Sequence, residues 1–255
     1  MHAPIEAKPA TVAVQQAALA ERVHNAPEAR RTAVRDALPQ PNFAAMLENL
    51  DAAVGRVLDE LDAAGVADDT LVVFTSDNGG LSGVSENRPL RGGKRSLWEG
   101  GIRVPLLVRW PGHVAADSAS ALPVITQDVH RGLRSVAGAA CDDAEVAADS
   151  IDLLPVWLGG GPSTRGPLYW HFPQHQTKAI GPRGAIRDGD WKLIEDFADE
   201  RALLFDLATD PYETDDRAAA EPARAAALLA ELRAWRDRVH AAMPTPNPDF
   251  DPADR

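Results

Sequence analysis

Asp77-Asn78-Gly79-Gly80 sets a carboxylate beside an amide at the end of a short apolar run, Leu71-Val72-Val73-Phe74. Runs of that length, rich in β-branched and aromatic residues, form buried strands. Ligands of open α/β sheets bind outside the carboxyl ends of strands, so paired oxygen donors there suit a hard cation such as Ca2+. The same four residues are also ordinary turn chemistry. Sixteen residues beyond Asn78 stands Lys94, among Gly92, Gly93, Gly100 and Gly101. Residues without a Cβ let the backbone approach another group closely, here beside an ammonium. A nucleotide-phosphate loop is excluded: it needs Gly at 88 and Ser or Thr at 95, and both are Arg. His171 and His175 have the i, i+4 spacing of a zinc pair, but Pro173 breaks the helix that would align them and no third ligand follows. Cys141, followed by Asp142-Asp143-Ala144-Glu145, is a plain loop thiol.

The elements that must carry these groups follow from periodicity. Phe43, Met46, Leu47, Leu50, Val54, Val57, Leu58 and Leu61 recur at helical spacing, with Asn42 as the expected N-cap and Gly65 as the stop. This helix leads directly into the 70–76 strand, one αβ step of an α/β sheet. Ala-rich stretches at 11–25 and 28–37 predict two earlier helices. A second apolar run, Ile102 to Trp110, contains Pro105 and reads as a bulge or edge position. Asp128 to Ala137 predicts a short helix with Val129, Leu133 and Val136 on one side. Composition shifts at Gly159-Gly160-Gly161-Pro162, which divides the chain into residues 1–160, 161–243 and a Pro-rich tail, 244–255. In the second segment, strands are expected at 168–172, 184–187, 191–194 and 203–207. Asp188-Gly189 is a hairpin signal, and a helix starts at Pro222 with Leu228, Leu232, Trp235 and Val239 in phase. Strands followed by one covering helix make a small α+β unit.

The chain's 255 residues can bury a substantial core. A net charge of −12 and a pI of about 5.0 argue against a nucleic-acid partner, which needs a basic face. No apolar stretch reaches membrane-spanning length, and the N-terminal residues lack the pattern of a signal peptide. One cysteine excludes an internal disulfide.

TSDNGG followed by PLRGGKRSLWEGGIRVPLLVRWPG resembles the sulfatases of the alkaline-phosphatase-like superfamily. The likeness runs from His2-Ala3-Pro4 to the Pro-rich tail and matches the second half of such an enzyme. It implies an α/β fold: the C-terminal part of an alkaline-phosphatase-like sulfatase domain (1–160), then a small α+β domain with an antiparallel sheet and one helix. The implied activity is hydrolysis of a sulfate ester, on a sulfated small molecule or glycan. The resemblance matches Asp77 and Asn78 to calcium ligands and Lys94 to a lysine on a sulfate oxygen. Trp98 stands where relatives more often carry tyrosine, and could bear on substrate preference. His2, in HAPIEAKP, is similar to the histidine of H-x-P-I-x-A-K-P, which helps the leaving oxygen depart. His171 and His175 match a Trp-His-x-Pro segment at the rim of the substrate pocket. Sulfatases attack through a formylglycine made from the Cys or Ser of C/S-x-P-x-R. Cys141 lacks the Pro and Arg, and no serine of this chain has Pro two residues on. The nucleophile and the remaining calcium carboxylates are therefore expected upstream, the chain is expected to be inactive alone, and a truncated or mis-started gene is its expected origin. With sheet neighbours upstream, Leu71 to Ser76 is expected to expose an unpaired edge. The family suggests a periplasmic or secreted enzyme. Two other readings stay open: a phosphodiesterase or phosphonate hydrolase of the same superfamily, and a non-catalytic sulfate-binding protein.

Overall fold

The computed structural model describes residues 9–28, 41–139, 150–162, 164–174 and 181–245. In chain order the elements are α1 (Pro9–Asn25), α2 (Pro41–Ala63), β1 (Val72–Thr75), α3 (Glu99–Ile102), β2 (Leu106–Arg109), α4 (Thr126–Val136), α5 (Leu154–Trp157), β3 (Leu168–Phe172), β4 (Arg183–Asp188), β5 (Trp191–Asp196), β6 (Arg201–Asp206) and α6 (Pro222–Arg238). They form two compact units, Met1–Glu86 with Val104–Arg165, and Asn87–Arg103 with Gly166–Arg255. The division expected from composition is contiguous, whereas the Lys94 loop packs with the later strands. The helix expected at 28–37, the acidic connection around Cys141 and most of the Pro-rich tail lie outside the described residues.

In the first unit, α2 begins at Pro41, whose fixed φ and missing N–H suit the first helical turn. The expected N-cap, Asn42, therefore lies inside the helix. The other end is as read: Gly65 takes φ 68°, its N–H donates to the Asp62 carbonyl at 3.0 Å, and the Val66 N–H donates to Leu61 O at 3.1 Å. Helix α1 packs on α2, with Gln15 Nε2 donating to Glu48 Oε2 at 2.8 Å.

Strand β1 pairs antiparallel with β2, Val72 opposite Arg109 and Thr75 opposite Leu106. One edge of β1 is thus paired, while its other edge meets no strand among the described residues, as expected. The run is not buried as expected: Phe74 is 36% exposed and Leu107, directly opposite, 61%. The reason is geometric. Phe74 and Leu107 share one face of a two-stranded ribbon that no further strand widens among the described residues.

Helix α4 also turns a different side inward than its apolar spacing suggests. Leu133 is exposed, and the buried positions are Asp128 and Gly132. A Cβ on Gly132 would stand 2.9 Å from the Trp157 ring, so glycine is what lets α5 close on α4. Asp128 is fully buried and accepts the Ile125 N–H at 2.7 Å and the Ile151 N–H at 2.8 Å. Its third partner is the buried guanidinium of Arg165. One carboxylate thereby ties together three segments.

The second unit is a four-stranded antiparallel meander, β3-β4-β5-β6. Gly189 opens the two-residue β4–β5 turn with φ 57°, the left-handed conformation such turns require. Alternation gives the sheet two apolar faces. Ile186, Leu193 and Leu204 meet Leu228 and Leu232 of α6 on one side. Ala185, Ile194 and Phe205 meet Leu97 and Trp98 of the glycine-rich loop on the other. Tyr169 stacks on Trp235 at 4.9 Å and donates to Glu231 Oε1 at 2.9 Å.

Asp128→Ala leaves the Arg165 charge buried without its partner, a loss worth about 3–5 kcal/mol. Urea unfolding should show that destabilisation in the transition of the first unit. Burial, and after it the Glu231 carboxylate, push the Tyr169 phenol up to about 12. The folded state therefore favours the protonated phenol. That stabilisation is complete below the ordinary tyrosine pKa of about 10 and disappears as pH rises through about 12. Tyr169→Phe should flatten the decline of thermal stability over this alkaline range.

Candidate functional site

Asp77 and Asn78 lie just past the carboxyl end of β1, separated from Thr75 by Ser76. Asp77 is exposed and Asn78 half-buried. Asn78 Nδ2 donates to Asp77 Oδ1 at 3.1 Å and to the Gly79 carbonyl at 3.2 Å, and Ser76 Oγ donates to Asn78 O at 2.9 Å. Both side chains offer the hard oxygen donors Ca2+ prefers, but that ion takes about 6–8 of them. Among the described residues no group of three or more His, Cys, Asp or Glu side chains could hold a metal. The donor type fits calcium; the donor number does not complete a centre.

Lys94 is half-buried on a loop closed at its base, where the Gly100 N–H donates to the Arg91 carbonyl at 2.7 Å. Within it, Ser96 Oγ donates to Gly93 O at 2.7 Å and accepts from the Gly93 N–H at 3.2 Å. Gly100 and Gly101 are required by space: a Cβ would come 2.5 Å from Arg91 O at the first and 2.2 Å from Ser96 O at the second. Arg95 holds φ 75°, a conformation uncommon for a residue with a Cβ, directly beside Lys94.

Beneath the loop lies a charge cluster that the sequence reading missed. Lys192, Glu99 and Glu213 are 0%, 2% and 0% exposed. Lys192 Nζ donates to Glu99 Oε1 at 2.8 Å and stands 2.8 Å from Glu213 Oε1. The Glu99 N–H donates to Glu213 Oε2 at 2.7 Å, and Arg91 Nη1 donates to the Glu213 carbonyl at 2.7 Å. Arg103 and Arg187 come within 3.9 and 4.0 Å of Glu99 Oε2. Burial pushes the Glu213 carboxyl above its ordinary value, although Lys192 and the Glu99 N–H pull it down. The signal was present in Trp191-Lys192-Leu193-Ile194: a lysine inside an apolar strand must be buried with a partner.

Two expected substrate contacts, Trp98 and His171, are packed on opposite faces of the second unit's sheet. Trp98 is 9% exposed, with the Arg91 guanidinium 3.7 Å above its ring and Phe205 edge-on at 5.6 Å. Sitting in the apolar core, its large ring packs the loop on the sheet and leaves little surface exposed. His171 alternates with Trp170, so it emerges on the α6 side of the sheet, opposite the Lys94 loop. Its Nε2 lies 2.8 Å from the Ala242 carbonyl, and its ring tilts against Phe197 at 5.6 Å. Nearby on that side, Glu195 accepts from Arg233 at 2.7 Å and from Arg236 at 2.5 Å. His2 and His175 lie outside the described residues.

Lys192→Met would leave two carboxylates facing each other without their cation, at a cost of about 3–5 kcal/mol at neutral pH. The Glu213 carboxyl, already pushed up by burial, would rise further without that ammonium, so stability should recover as pH falls toward the carboxylate range. Denaturation of the variant at neutral and at mildly acidic pH measures both effects.

Comparison with known proteins places this geometry in a family. A family model described as Sulfatase matches residues 9–159, and one described as N-sulphoglucosamine sulphohydrolase, C-terminal, matches residues 92–237. The chain is 34% identical to a sulfatase of Formosa agariphila over 218 residues, 77% of this chain and 39% of the relative. It is 34% identical to arylsulfatase A of Homo sapiens over 201 residues, 67% of this chain and 38% of the relative. Among solved structures it is similar to Ps i-CgsB, with a TM-score of 0.73 and 28% identity over 92% of this chain and 47% of that one. It therefore spans about four-tenths of the length of these curated relatives. The architecture is accordingly the α/β, alkaline-phosphatase-like fold of those enzymes. With more than half of its residues inside the Sulfatase model, the chain belongs to the sulfatase family.

Proposed function

We propose that the chain carries the sulfate-recognition part of a sulfuric ester hydrolase. The observation that supports this most is Lys94, half-buried on a glycine loop whose shape is imposed by space and buried charge. An ammonium held in place needs no reorganisation when it meets a sulfuryl oxygen, so it can neutralise charge as the S–O ester bond breaks. The leaving alkoxide takes a proton, and His2 is the group proposed to give it, since imidazole exchanges protons near neutral pH. The family's formylglycine would supply the oxygen nucleophile that attacks sulfur; no residue of this chain matches its motif. The 255 residues alone should therefore show no turnover. Asp77 and Asn78 are proposed to give two oxygens to a Ca2+ whose other ligands lie outside the described residues.

For substrate, we infer a sulfated glycan. The similar structure Ps i-CgsB was also solved with k-i-k-neocarrahexaose, at 28% identity to this chain. A sulfated small molecule is the other outcome to test.

Titration calorimetry of the full chain with a sulfated oligosaccharide and with 4-nitrophenyl sulfate decides between them. The oligosaccharide should bind more tightly. Lys94→Ala should weaken binding about tenfold or more, the value of one charge-assisted hydrogen bond. Equal binding by wild type and Lys94→Ala would overturn the assignment. In a separate titration with Ca2+ alone, Asp77→Ala should reduce affinity by a similar factor.

A further inference from the structure

We propose that Glu213, clamped by Lys192, is a positioning residue for Lys94. The inference rests on the reading of Lys94 as the sulfate-binding ammonium. Glu213 stands far along the chain from the loop, yet it holds both of the loop's ends. Its backbone carbonyl receives the Arg91 guanidinium at 2.7 Å, three residues before Lys94. Its carboxylate receives the Glu99 N–H at 2.7 Å, five residues after Lys94. The Arg91 carbonyl and the Gly100 N–H close the same base directly at 2.7 Å. Lys94 is thus the outer part of a short ring whose two feet share one anchor.

The anchor is itself fixed. Glu213 holds φ 57°, a left-handed conformation rare for a residue with a Cβ, which marks its backbone as held in place by its surroundings. Its N–H donates to the Asp210 carbonyl at 3.2 Å, and Asp210 in turn accepts the Thr214 and Asp215 N–H groups at 2.7 and 2.8 Å. Lys192, the second residue of β5, sets the carboxylate by ion pairing and draws Glu99 toward the same point. A buried charge cluster demands specific distances, whereas an apolar plug would tolerate small shifts. Its members contribute no group that meets the substrate; they act through where they hold Lys94.

The test is nuclear magnetic resonance of the full chain, reading the Lys94 backbone amide and Nζ resonances in wild type, Glu213→Ala and Glu213→Gln. In Glu213→Ala the Lys94 signals should shift or broaden, and the Glu99 and Gly100 amides should exchange about 100-fold faster. The Leu193, Ile194 and Leu204 amides should stay within about threefold of wild type. Glu213→Gln keeps an acceptor oxygen for the Glu99 N–H and should restore the wild-type Lys94 signals. Unmoved Lys94 signals in a folded Glu213→Ala would overturn the proposal. If that variant does not fold, Arg91→Ala, which removes one grip at an exposed residue, should displace the same Lys94 signals; no displacement is then the refutation. Titration with inorganic sulfate separates the two claims. A wild-type Lys94 that ignores sulfate but moves in Glu213→Ala removes the sulfate reading and leaves the positioning role standing. A Lys94 that binds sulfate equally well in wild type and Glu213→Ala removes the positioning role.

Discussion

A fully buried ammonium between two carboxylates is the interaction on which the second unit depends. Lys192 would be costly to bury alone, since an isolated charge in a protein interior loses far more hydration than packing returns. It is accommodated because Glu99 and Glu213 both reach it at 2.8 Å. The consequence runs outward through the chain. Glu99 starts the short helix α3, whose glycines allow the loop to fold back on Arg91. That fold in turn packs Leu97 and Trp98 on the apolar face of the sheet. A segment that precedes β3 by more than sixty residues therefore belongs to the later sheet by its charge pairing and its packing.

The first unit solves a different problem with a similar device. Its ribbon of two strands leaves Phe74 and Leu107 exposed, and it has few fully buried apolar side chains among the described residues. Polar knots supply order where apolar contacts are sparse. Asp128 satisfies two loop N–H groups and pairs with Arg165, fixing the start of α4 against the segment that leads into α5. At the far end of β1, hydrogen bonds among Ser76, Asp77, Asn78 and Gly79 shape the turn that carries the oxygen donors.

Much of this could be read from residue types alone. TSDNGG and GGKRSLWEGG carry the family, and the spacing of Leu228 and Leu232, the Asp188-Gly189 turn and the Gly65 stop lead directly to α6, the β4–β5 hairpin and the end of α2. These features are local: a period of 3.6 or 2 and a demand for positive φ are properties of neighbouring residues. The buried face of α4 was misjudged for the complementary reason. Leu133 is apolar, but the space beside α5 admits only Gly132, and a carboxylate with three partners is more securely buried than an unpaired leucine position is.

What only the tertiary structure decided is which distant residues share a charge or a cavity wall. No spacing rule links Glu99, Lys192 and Glu213, because each was placed by a different element and only the sheet brings them within hydrogen-bond reach. The same holds for Trp98 and His171. Both sit in motifs that suggest a surface, yet one fills the core and the other emerges on the helix-covered side of β3. Sequence determined the chemistry available, since side-chain type fixes charge, donors and backbone freedom. Folding determined which of those groups are desolvated together, and desolvation sets how strongly they bind one another.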